Sequence, residues 1–135
     1  MSVNCKGQEK LIMSILSMLT SRSRLLLSSS ISARRGSFDP IYAASKGVLI
    51  SLVKSLVKSL PGGCRINSIA PGLIQGSSII EGISKERQKF YDEQIPSKKL
   101  LHLQDLARIV FDLYQDHWVN LNGACIELNG GQNVR

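Results

Sequence analysis

Two short apolar runs on either side of one long amphipathic helix narrow the fold of this chain more than any other feature. Arg24-Leu25-Leu26-Leu27-Ser28 is apolar, short and closed by small polar residues. It suits a strand buried on both faces, as in a parallel sheet. A helix is expected from about Pro40 to Leu60. Its apolar stripe is Leu49, Leu52, Val53, Leu56, Val57 and Leu60, with Lys54, Ser55, Lys58 and Ser59 opposite. Asp39 can cap it and Pro40 suits its first turn. Pro61-Gly62-Gly63 stops it. Cys64-Arg65-Ile66-Asn67-Ser68-Ile69-Ala70 then reads as a second strand, closed by Pro71-Gly72.

The flanks extend the same alternation. Residues 5–20 carry Leu11, Ile12, Ile15, Leu16 and Leu19 at helical spacing. Residues 29–41 read as loop, with Gly36 and Asp39-Pro40 as turn formers. Residues 73–84 read as an irregular loop, 85–94 as a short exposed helix and 103–116 as an amphipathic helix opened near Gln104-Asp105. Ala124 to Leu128 read as a last strand, followed by Asn129-Gly130-Gly131. Strand, helix, strand, helix, strand is the pattern of an α/β domain with parallel strands. There is no internal repeat and no linker, so residues 1–135 are expected to form a single domain.

Other classes fit poorly. Cys5, Cys64 and Cys125 are odd in number and far apart, with no C-x-x-C pair; they suggest neither a disulfide framework nor a zinc knuckle. Buried, inert thiols in a reducing, cytoplasmic compartment are the reading, with no metal. No apolar run reaches the ~18 residues of a membrane span. Residues 6–35 pass loosely for a targeting segment, but no small-residue cleavage site follows directly and Ser14 and Ser17 break the apolar run. The net charge of +7 sits in the first 80 residues, where ten Lys or Arg face only Glu9 and Asp39. These cations are scattered without aromatic interleaving, so a solvated face is preferred to nucleic-acid binding.

The chemistry is concentrated between Ser30 and Lys46. Tyr42 and Lys46 are four apart near a helix start and so share a face. A free Tyr has a pKa of about 10, too high for a base at neutral pH. A shift of three units needs ~4 kcal/mol, which one close cation in a partly dry site can largely supply. Such a Tyr could exchange a proton with a carbonyl or alcohol oxygen while a Ser hydroxyl holds that oxygen. Three Tyr and nine Lys in this length give a Tyr-x-x-x-Lys by chance in about one chain in five. The spacing alone therefore does not separate a site from a surface Tyr–Lys pair.

A longer set of residues does. Ser30-x(11)-Tyr42-Ala43-Ala44-Ser45-Lys46-Gly47, then Arg65-Ile66-Asn67-Ser68-Ile69-Ala70-Pro71-Gly72-Leu73-Ile74, then Asn129-Gly130-Gly131, resembles the short-chain dehydrogenase/reductase family from residue 3 onward. The pattern is broadly similar to that of 3-oxoacyl-thioester reductases. The resemblance implies a Rossmann-like, doubly wound parallel sheet and NAD(P)-dependent hydride transfer between a nicotinamide cofactor and a small carbonyl or secondary-alcohol substrate. It implies Tyr42 as acid/base, and Lys46 as the cation that lowers its pKa and binds the nicotinamide ribose. Ser30 would polarise the carbonyl, with Ser29 an alternative because the intervening loop is one residue short of the common pattern. Asn4 would be the structural and proton-relay Asn. Pro71, Gly72 and Ile74 would line the nicotinamide. Gly76, with Ser77 and Ser78 beside it, stands where a phosphate-contacting Thr is usual. Residues 77–95 match the variable substrate loop, in which Phe90 and Tyr91 either line a pocket or pack as an exposed helix.

The family's Gly-x-x-x-Gly-x-Gly turn is not formed by any of the eleven glycines; Gly72-x-x-x-Gly76 has Ser78 in the third place. The resemblance therefore implies a partial fold of about three strands with flanking helices. The N-terminal dinucleotide-binding half and the adenosine site have no counterpart, and the first strand becomes a sheet edge. Helices 5–20 and 40–60 and the last strand correspond to the family's oligomer interfaces, so a homo-oligomer is expected. The alternative is a catalytically silent fragment or pseudoenzyme that serves as an oligomerisation module.

Overall fold

A computed structural model describes residues 2–133, the side chains of Ser2, Asn4, Cys5 and Ile79 excepted. A π-type turn, Ser2–Gly7, runs into α1 (Gln8–Ile15). Strand β1 (Arg24–Ser28) follows, then α2 (Ser32–Arg35) and α3 (Pro40–Leu56), which a 3-10 turn extends over Val57–Ser59. Strands β2 (Arg65–Pro71) and β3 (Ile74–Gln75) precede α4 (Ser78–Glu81) and α5 (Lys85–Glu93). Strand β4 (Leu101–His102), α6 (Leu103–Leu113) and β5 (Cys125–Leu128) complete the order.

The main sheet has the order β1-β2-β5, all parallel, so the expected partial doubly wound sheet of three strands is present. β1 is an edge strand. The register sets Leu25 beside Ile66 and Leu26 beside Asn67. Alternation then sends Leu25, Leu27 and Ile66 to one face, where they meet Ile12 of α1 and Leu49 and Val53 of α3. This is the core. On the other face, Leu26 and Asn67 share a small void with Leu113 and Tyr114 at the end of α6.

The α3 helix begins as its sequence dictates. Asp39 has extended backbone, and its carboxylate accepts from the Tyr42 amide at 2.9 Å with Pro40 in the first turn. This cap lies six residues before the buried Ser45 and ten before the fully buried Leu49, so it also sets the phase of the helix.

Two expectations need correction. Residues 29–41 are not all loop: α2 forms one helical turn there, closed by Gly36 at φ 86°. Residues 73–84 hold β3 and α4, and β3 pairs with β4 in a separate two-stranded parallel sheet. Residues Pro40–Ser59 form a helix of 20 residues in which an 18-residue stretch has mean hydropathy 1.3, enough to cross a membrane by length and composition alone. Lys and Ser interrupt its sequence, so it contains no continuous apolar run of ~18 residues. Its inner stripe of Leu49, Ile50 and Val53 is buried against the sheet. Of the thiols, Cys64 is buried and Cys125 half-buried; both are free.

Because Leu49 has no exposed surface and little room for its neighbours to relax, Leu49→Ala should cost about 2–5 kcal/mol. Asp39→Ala should cost about 1 kcal/mol. Urea denaturation followed by far-ultraviolet circular dichroism gives both values, and a cap loss exceeding the core loss would contradict this packing.

Candidate active site

β1 and β2 end side by side, and the chain leaving β1 stays paired with β2. The Ser29 amide donates to Ile69 O at 2.8 Å and the Ile31 amide to Pro71 O at 2.9 Å. Ligands of open α/β sheets bind beyond the carboxyl ends of such strands. A cleft of about 630 Å³ opens here. One wall is Ser30, Ile31, Phe38 and Tyr42; Gly72 and Leu73 leave β2 beneath it; Phe90 and Tyr91 of α5, with Gln94 just after its end, form the far wall.

Two reciprocal hydrogen bonds attach α3 to the end of β1. Ser29 Oγ donates to the Lys46 carbonyl at 2.8 Å, and Lys46 Nζ donates to the Ser28 carbonyl at 2.9 Å. The Lys46 ammonium lies 5.8 Å from the centre of the Tyr42 ring. Lys46 is half-buried, and loss of water pushes its pKa below the ordinary lysine value. Tyr42 uses its backbone, not its hydroxyl, in hydrogen bonding among the described residues: its amide meets Asp39 and its carbonyl accepts from Ser45 Oγ at 2.7 Å.

Both candidate serines are buried, but their surroundings differ. Ser29 donates its hydroxyl to the Lys46 carbonyl and is absent from the cleft lining. Ser30 lines the cleft, and its Oγ accepts from the Ser32 amide at 3.1 Å, a bond that does not use its own hydrogen. Of the other expected residues, Gly72 lines the cleft and donates its amide to Leu128 O at 3.0 Å. A Cβ there would stand 3.3 Å from Asn129 Cα, so the glycine lets β2 and the turn after β5 approach closely. Pro71 is buried at the end of β2, and Ile74 lies in β3 beside Leu101, away from the cleft lining. The Asn4 side chain lies outside the described residues. Phe90 and Tyr91 do line the cleft, their rings edge to face at 5.7 Å.

Arg35, Phe38, Gln94 and Gln132 also line the cleft and were not anticipated. Arg35 was one cation among scattered ones; only the phase of the single turn α2 turns it to the cleft. The Asn129-Gly130-Gly131 signal led to the segment of Gln132, but not to its side chain.

The donor set suits the ribose end of a nicotinamide cofactor. Lys46 has three ammonium hydrogens and spends one on Ser28 O, and the Tyr42 hydroxyl is free for a ligand. No glycine-rich turn of the pyrophosphate-binding type occurs among the described residues.

The sequence family described as enoyl-(acyl carrier protein) reductase matches residues 1–133. A short-chain type dehydrogenase/reductase, y4mP of Sinorhizobium fredii, is 34% identical over 107 residues, which are 76% of this chain and 42% of that protein. This chain belongs to the short-chain dehydrogenase/reductase family. The 3-oxoacyl-(acyl-carrier-protein) reductase FabG of Aquifex aeolicus is 33% identical over 67% of this chain and 36% of its own length. Among solved structures, the short-chain dehydrogenase/reductase of Brucella melitensis described as glucose/ribitol dehydrogenase superposes with a TM-score of 0.90 at 27% identity, covering 99% of this chain and 55% of that one. The angucycline C-6 ketoreductase LanV, solved with bound NADP, gives 0.86 at 25% identity over 98% of this chain and 52% of that one. The chain thus spans about two fifths of the length of curated short-chain dehydrogenase/reductase relatives and about half of the solved ones.

Lys46 generates a pH prediction. Its folded-state pKa is lowered, so above that value the folded chain has released a proton that the unfolded chain still holds. Its contribution to stability is therefore least favourable at lower pH and improves as pH rises towards the ordinary lysine range. NMR titration of the Lys46 ε-carbon should show a midpoint below the model-peptide value; an unshifted midpoint would contradict the burial described.

Proposed function

We propose that this chain carries the substrate-facing half of an NAD(P)-dependent oxidoreductase that interconverts a small carbonyl compound and a secondary alcohol. The observation that supports it most directly is that Ser30 and Tyr42 both line one cleft, with the Lys46 ammonium 5.8 Å from the centre of the tyrosine ring. The nicotinamide, when bound, supplies or accepts the hydride. Lys46 and Tyr42 would hold its ribose, and Pro71, Gly72 and Ile74 would lie along its ring.

In the reducing direction Ser30 donates its hydrogen bond to the carbonyl oxygen and polarises it. Tyr42 then gives its phenolic proton to that oxygen as negative charge develops there. The ammonium of Lys46 stabilises the charge left on the phenol oxygen. In the oxidising direction the proton moves from alcohol to Tyr42. The 3-oxoacyl reductases among the relatives make an acyl thioester one substrate to test.

We also infer self-association. Leu11 and Met13 on α1 and Ile41 at the start of α3 are large and more than half exposed. Apolar side chains left uncovered on the two helices favour contact with a second copy.

Two outcomes follow. Consumption of NADPH or NADH with a panel of aryl ketones and 3-oxoacyl thioesters should be detectable, and Tyr42→Phe should lower it about 10²–10⁴-fold without changing the circular dichroism spectrum. Undiminished turnover in Tyr42→Phe would remove Tyr42 from the chemistry, while absence of both cofactor binding and turnover in the parent would favour a silent scaffold. Light scattering should show more than one copy per particle, with dissociation in Leu11→Lys; a monomeric parent chain would end the self-association reading.

A further inference from the structure

Arg35 is the one charged residue that lines the cleft. Its neighbour in α2, Arg34, is ion-paired, with Nε 3.4 Å from Glu127 Oε1. Arg35 has no ion pair among the described residues. Its guanidinium donates from Nη1 to a neutral acceptor, Gln94 Oε1, at 3.0 Å, and is exposed. A guanidinium carries five donors in a planar fork, so one amide contact leaves most of its capacity unused. The lining otherwise combines neutral polar side chains, Ser30, Gln94 and Gln132 among them, with an apolar and aromatic surface of Ile31, Phe38, Leu73, Phe90 and the rings of Tyr42 and Tyr91. Phe38 is 80% exposed and Phe90 50% exposed at the margins of the cleft, unusual for rings with no ligand to cover. Phe38 is held by Arg87, whose guanidinium carbon lies 4.8 Å from its ring centre; this contact and the Arg35–Gln94 bond join the two walls.

We propose that the substrate carries an anionic oxygen group, carboxylate or phosphate, beside an apolar body that bears the carbonyl, and that Arg35 binds this group. The inference rests on reading the cleft as the carbonyl site. A fork of donors facing an aromatic slot prefers an anion that can take two parallel hydrogen bonds. Gln94 is then the resting partner that the anion displaces. Arg35 sets specificity; the proton chemistry stays with Tyr42 and Ser30.

Equilibrium binding to the 135-residue chain tests this without turnover, using 4-acetylbenzoate, its methyl ester and 4-ethylbenzoate, followed by ligand-observed NMR. The acid should bind at least about fivefold more tightly than the ester, with the gap narrowing as salt rises. Arg35→Met should abolish the gap, and Gln94→Ala should keep it by leaving the guanidinium free. Equal affinity for acid and ester, a gap that survives Arg35→Met, or no saturable binding of either would overturn the proposal. If 4-ethylbenzoate binds as well as 4-acetylbenzoate while the dependence on Arg35 stands, the carbonyl reading fails and the anion site remains.

Discussion

The reciprocal bonds between Ser29 and the Lys46 carbonyl and between Lys46 and the Ser28 carbonyl are what the site depends on. They fix the helix against the strand end both along its axis and in rotation. Tyr42 lies one turn before Lys46, and Ser30 lies one residue after Ser29. Any slip of α3 would therefore move Tyr42 relative to Ser30. The Asp39 cap acts at the same point from the other side, holding the first turn at the Tyr42 amide. A loop, a strand and a helix are thus locked within a few residues of Ser30 and Tyr42, which is how a cleft site gains preorganisation from short-range contacts.

Behind this lock stands β2, whose seven residues are all buried although three of them are Arg65, Asn67 and Ser68. Burying such groups is costly unless they are hydrogen-bonded. Here the segment leading to β5 supplies most of the partners, although the buried Arg65 Nε has none among the described residues. Asn67 donates to Leu121 O and accepts from the Ala124 amide, both at 2.9 Å, and Arg65 donates to the carbonyls of Trp118 and Gln115 at 2.6 and 2.8 Å. Asn122 returns the arrangement, accepting from the Ile66 amide at 2.9 Å and donating to Cys64 O at 3.2 Å. β2 thereby selects where β5 pairs, and the turn after β5 brings Asn129 against Gly72 beneath the cleft. Burial lowers the Arg65 pKa, with Arg24 acting in the same direction and Asp116 against it.

How much of this could be read from the chain varied with the range of the interaction. The three main strands, α3 and its Asp39 cap were legible because periodicity and capping act over a few residues. The placement of Tyr42 and Gly72 at the cleft, and of Lys46 beside the Tyr42 ring, was legible because their motifs are local. The choice between Ser29 and Ser30 was not, because it turns on which hydroxyl meets a carbonyl 17 residues away. The cleft role of Arg35 was invisible for a similar reason: Arg34 and Arg35 are the same residue type, and a single helical turn sends one to Glu127 and the other to Gln94. β3 and β4 are two residues each, too short for any alternation to register. Ile74 pairs with Leu101 in β3 and is not in the cleft lining.

The division of labour between the adjacent serines is the most exposed part of this account. It is tested by measuring urea stability and ketone reduction side by side in Ser29→Ala and Ser30→Ala. Ser30→Ala should lose turnover by about tenfold or more while stability stays near that of the parent. Ser29→Ala should lose about 1 kcal/mol of stability through the freed Lys46 carbonyl and retain the larger share of turnover. Full activity in Ser30→Ala, together with a folded but inactive Ser29→Ala, would contradict the account and return the reactive role to Ser29.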